Sequence, residues 1–84
     1  MYDEAMKGGP TVLKTIRLLR EEQGLSQFDL ANKVGVTPST VYNWERGKYE
    51  PRYSQMRALA FAFGVPMDDI VPTEAELAKE KTAA

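Results

Sequence analysis

The side chains able to do chemistry in this 84-residue chain are chiefly hydrogen-bonding groups. There is no histidine and no cysteine. That removes the commonest general base, the commonest metal ligands and any disulfide. Asp68 and Asp69 are adjacent. On a helix they would point about 100° apart, which suits helix capping better than shared acid–base work. No catalytic residue, metal site, cofactor or small-molecule ligand is expected. The informative run is Thr37-Pro38-Ser39-Thr40-Val41-Tyr42-Asn43-Trp44-Glu45-Arg46. If Val41 and Trp44 face inward at helical spacing, then Pro38, Ser39, Tyr42, Asn43 and Arg46 face outward, with Thr40 at the edge. One outer face then carries a carboxamide, hydroxyls and a guanidinium, groups that recognise another molecule's donors and acceptors.

That face needs a scaffold, and the flanking sequence supplies one. Leu30, Val34, Val41 and Trp44 recur at spacings of three and four within each half of Gln27 to Arg46. The pattern predicts two short amphipathic helices. Ala31 is small enough for the second helix to approach the first. Gly35 can take the left-handed backbone of a helix end, and Val36 then turns inward. Thr37 reads as an N-cap with Pro38 at the first helical position, while Ser26 and Asp29 form an acidic capping box for the preceding helix.

The first helix is expected from about Thr11 to Gln23, with Leu13, Ile16, Leu19 and the stem of Arg20 inward and Gly24 closing it. Leu18 lies off that stripe. Gly47 to Pro51 reads as a loop. The fourth helix is expected over Tyr53 to Phe63, burying Met56, Leu59, Ala60 and Phe63, and ending at Gly64. Val65-Pro66 then introduces a short fifth helix through Ile70. Residues 1–10 end in Gly8-Gly9-Pro10 and read as a disordered leader. Residues 73–84 read as a short helical or frayed tail. The expectation is an all-α, five-helix domain over residues 11–72, with no sheet.

Nothing in the sequence approaches a bilayer-spanning run, and the first residues lack an apolar signal core, so the chain reads as cytoplasmic. The net charge is -1, but it is unevenly spread. From Thr11 to Arg57 eight basic residues (Lys14, Arg17, Arg20, Lys33, Arg46, Lys48, Arg52, Arg57) face five acidic ones (Glu21, Glu22, Asp29, Glu45, Glu50). From Ala58 onward five acidic residues outnumber two lysines. The first segment is thus suited to a polyanion, with modest non-specific affinity overall.

The order Gln27, Leu30-Ala31, Val34-Gly35-Val36, Val41, Trp44-Glu45-Arg46-Gly47-Lys48 and Pro51 resembles the Cro/phage-repressor helix-turn-helix family, over roughly Leu13 to Val71. The resemblance implies a repressor-like fold whose second motif helix enters the major groove of double-stranded DNA. It makes Pro38, Ser39, Thr40, Tyr42 and Asn43 the base-contacting candidates. Asn43 could pair bidentately with an adenine edge. Ser39 and Thr40 could hydrogen-bond a base or meet a thymine methyl, and Tyr42 could touch a thymine methyl or a phosphate. Pro38 departs from relatives with a long polar residue there and offers only apolar contact. Thr37 and Pro38 are equally read as pure helix-start chemistry.

Phosphate contacts are implied for Gln27, Thr37, Arg46, Lys48 and Arg52, while Lys14 and Arg17 could reach the backbone or stay solvated. Arg20 and Glu45 are implied to form a structural ion pair. Trp44 reads as core, and Tyr49 and Tyr53 could stack on the DNA backbone or pack under the fourth helix. The implied function is a transcriptional repressor, acting as a homodimer through Phe61 and the fourth and fifth helices on an inverted repeat. A competing expectation is a protein-interaction module, such as an antitoxin or adaptor, with weak or no DNA readout. The acidic total, Pro38, Leu18 and Phe61 favour it.

Overall fold

Side-chain oxygens set three of the helix starts in the computed structural model, which describes residues 13–83. Thr15 Oγ1 accepts the Leu18 amide at 3.0 Å and opens α1 (Ile16–Glu22). Ser26 Oγ accepts the Asp29 amide at 2.9 Å, and the Asp29 carboxylate accepts the Ser26 amide at 3.0 Å, opening α2 (Gln27–Val34). These bonds, the backbone one foremost, hold the Asp29 carboxyl below its ordinary value. Thr37 Oγ1 accepts the Thr40 amide at 3.1 Å and opens α3 (Pro38–Glu45), with proline in the first turn. Between α2 and α3 lies Gly35 at φ 78°, where any side chain would be strained.

The chain continues through α4 (Tyr53–Phe63), a single 3-10 turn (Met67–Asp69) and α5 (Glu74–Ala83). Two short strands, β1 (Lys14–Thr15) and β2 (Ile70–Val71), pair in parallel, with Lys14 opposite Ile70 and Thr15 opposite Val71. Ile16 and Leu19 from α1, Leu30 and Ala31 from α2, Val41 and Trp44 from α3, Leu59 and Phe63 from α4, and Ile70 form one buried core. Each large member contributes about 1.5–3 kcal/mol of burial. Among the described residues, no helix is long and apolar enough to cross a membrane.

The fold is the expected five-helix, mainly helical arrangement, with three differences. The first helix starts at Ile16, because Lys14 and Thr15 are extended in β1 and Thr15 serves as its N-cap. The expectation of no sheet is wrong: β1 and β2 form a two-stranded sheet, too short for alternation to show in sequence. The helix expected after Pro66 is only the 3-10 turn, after which Ile70 and Val71 are buried in β2. The fifth α-helix is instead α5, over Glu74–Ala83. The expected leader, and the start expected for the first helix, lie outside the described residues.

Candidate nucleic-acid interface

Val41 and Trp44 are buried, and this fixes which way α3 faces. Pro38, Ser39, Tyr42 and Arg46 are exposed, and Thr40 and Asn43 are half-buried. The structure therefore brings the candidate base-contacting residues onto one surface. They are ordered among themselves. The Thr37 and Thr40 hydroxyls share a 2.9 Å hydrogen bond. The Arg46 guanidinium lies 5.4 Å from the centroid of the Tyr42 ring and donates to Asn43 Oδ1 at 3.4 Å. Stacking on the ring restrains a long cation that would otherwise sample many rotamers. The Asn43 carboxamide thus projects beside a restrained positive charge.

Charge pairing separates the basic residues. On the α1 side, Lys14 pairs with Glu22 at 3.0 Å, Arg17 with Glu21 at 3.2 Å, and Arg20 with Glu45 at 2.7 Å. Among the described residues, exposed Arg46, Lys48 and Arg52 have no carboxylate partner within ion-pair distance. Lys48 lies 5.6 Å from the Tyr49 ring centroid. Lys33 of α2 and Arg57 of α4 are exposed and likewise lack a carboxylate partner among the described residues, and Arg46, Lys48 and Arg52 place three such cations at the end of α3 and just after it, where a phosphate chain could meet them. Tyr49 and Tyr53, which the sequence left undecided, are both exposed.

Behind this face lies a buried polar cluster. Arg20 Nε and Nη2 donate to the two oxygens of Glu45 at 2.7 and 3.1 Å, and Arg20 Nη1 donates to the Leu25 carbonyl at 2.9 Å. The Arg20 and Glu45 side chains are only 12% and 7% exposed. The hydrogen bond to Glu45 holds the guanidinium above its ordinary pKa, against the burial that would lower it. Gln27, a candidate phosphate contact, is half-buried, and its Nε2 donates to Glu45 Oε1 at 3.0 Å.

Sequence reasoning did not foresee that third member, because the contact depends on how α2 and α3 cross. It also missed Thr15. Its hydroxyl caps α1 and lies 3.4 Å from Glu74 Oε2 at the start of α5. A threonine three residues before Leu18 was an available capping signal. Away from α3, Phe61 is 90% exposed. It borders a shallow, mainly apolar cleft with Arg57, Ala60, Val65, Pro66 and Met67.

A helix-turn-helix family model matches residues 16–70, spanning α1 through the 3-10 turn. An immunity repressor protein of Bacillus phage phi105 is 34% identical over 71 residues, 84% of this chain and 49% of that protein. The cryptic phage CTXphi transcriptional repressor RstR of Vibrio cholerae is 38% identical over 56 residues, 67% of this chain and 50% of that protein. An uncharacterised HTH-type transcriptional regulator of Methanocaldococcus jannaschii is 38% identical over 55 residues, 66% of this chain and 83% of that protein. The chain spans about half the length of the two phage repressors. With the motif helices, their capped turn and the family match in agreement, the chain belongs to the Cro/phage-repressor type of helix-turn-helix proteins.

Proposed function

We propose that the chain is a sequence-specific DNA-binding transcriptional regulator, a repressor that reads the major groove with α3. The observation that carries this reading is the outer face of α3. It presents Asn43 beside the stacked Arg46–Tyr42 pair, with Lys48 and Arg52 beyond it. Asn43 supplies base discrimination, and Pro38, Ser39, Thr40 and Tyr42 complete the readout. Arg46, Lys48, Arg52, Thr37 and Gln27 hold the phosphates, which set register without reading sequence. The repressors among the relatives support the direction of regulation. Occupying a promoter would block polymerase, with no chemistry required of the protein.

The operator in this proposal is an inverted repeat bound by a homodimer, with half-sites about one helical turn apart. The exposed Phe61 and its bordering cleft form the dimer contact. A knob and a hole on one face can satisfy each other twice across a two-fold axis. Selection from a random duplex pool at moderate salt tests the whole reading. An inverted repeat is expected, and Asn43→Ala should lose about 1–3 kcal/mol of discrimination at one base pair. No enriched sequence, together with no binding at low salt, would move the search to protein partners.

A further inference from the structure

We infer that Gln27 is a positioning residue: by holding Glu45 it sets the tilt of α3 and so the bases that α3 meets. The inference rests on the DNA-binding reading and deepens it. Helices α2 and α3 have 8 residues each, about 12 Å at 1.5 Å per residue. Their near ends are joined through Gly35 and Val36, whose amides both bond the Ala31 carbonyl, at 2.9 and 3.0 Å. Their far ends are joined by side chains. Gln27 is the first residue of α2, Glu45 is the last of α3, and Gln27 Nε2 lies 3.0 Å from Glu45 Oε1. Two arms fixed at both ends enclose a set angle.

Arg20 grips the same carboxylate, but from α1. It ties α3 to α1 and, through the Leu25 carbonyl, to the segment just before α2, whereas Gln27 is the side chain of α2 itself that bonds Glu45. Glu45 is too buried for water to replace a lost donor readily. A tilt of about 5° would move the far end of a 12 Å arm by about 1 Å. Hydrogen bonds to base edges do not survive such a shift without realignment. The second hydrogen of Gln27 Nε2 is left for a phosphate, a contact worth the same on every sequence. The Glu45 bond is what makes Gln27 matter to sequence preference.

The test compares three proteins on the selected operator and its single-base-pair variants under α3. These are wild type, Gln27→Met, which keeps the length and lacks the donor, and Gln27→Lys, which restores a donor to Glu45. Thermal melting confirms that each is folded. The Met variant is expected to lose discrimination among the variants by about fivefold or more, and the Lys variant to retain it. Two results overturn the proposal: a uniform loss of affinity with discrimination intact, or a Lys variant that behaves like Met.

If the wild type selects no sequence, the DNA-binding reading fails. The positioning is then judged on the protein alone, by backbone amide NMR shifts. Shifts along α3 that move in Gln27→Met and return in Gln27→Lys support it. Shifts confined to the immediate neighbours of residue 27 overturn it.

Discussion

Glu45 gathers three donors from two residues, and the cost of removing it follows from what stays behind. In Glu45→Ala the Arg20 guanidinium keeps its bond to the Leu25 carbonyl and a 4.0 Å approach to the Glu21 carboxylate, but loses its two short bonds and is left charged with little access to water. Breaking a buried pair in this way costs about 3–5 kcal/mol. The retained carbonyl bond and the partial exposure of Arg20 place the expected loss near the lower bound. At about 4–8 °C per kcal/mol for a domain this small, the melting temperature should fall by well over ten degrees. Wild-type melting in this variant would show that the pair does not hold the fold. The Arg20–Glu45 pair was legible through resemblance, since the stretch that resembles the family, Leu13 to Val71, includes both residues. Its link to Gln27 was not, because no sequence spacing states the angle at which two helices meet.

Elements whose boundaries are written in local chemistry were readable. Helix α4 runs over the expected Tyr53–Phe63 because apolar spacing and Gly64, at φ 72°, bracket it. The start of α1 was set too early because Leu13 continues the helical spacing of Ile16 and Leu19. Spacing alone does not reveal that residues 14–15 are extended against β2. Thr15 makes the boundary, and it does so at a junction: it caps α1, lies in β1 and reaches Glu74 of α5. Thr15→Val keeps the β-branched shape suited to the strand and removes the hydroxyl. The expected destabilisation is about 1 kcal/mol from the lost cap, with faster amide hydrogen exchange in α5. Unchanged exchange in α5 would restrict the role of Thr15 to α1.

For the whole molecule, a net charge of -1 coexists with the proposed DNA-facing surface because Lys14 of β1 and the cations of α1 are paired with carboxylates. Among the described residues, Lys48, Arg52 and Arg57 after α3 have no such partner. The proposed dimer makes a separate prediction. Phe61 is exposed, so Phe61→Ser should leave the melting of the protomer within about 0.5 kcal/mol of wild type. It should also convert the protein to a monomer in sedimentation and weaken binding to a two-half-site operator far more than to one half-site. A variant that stays dimeric would place the contact elsewhere. The pairing of β1 with β2 also bears on the order in which the chain assembles. Arg20 and Glu45 are 25 positions apart and Gln23 and Phe63 are 40 apart, whereas Thr15 and Glu74 are 59 apart. Closing so long a loop before its interior is formed costs chain entropy with only two short strands in return. The core of α1 to α4 must therefore condense first, and the strand pair with α5 closes over it last. By the same logic it is the first part to open when the native state fluctuates.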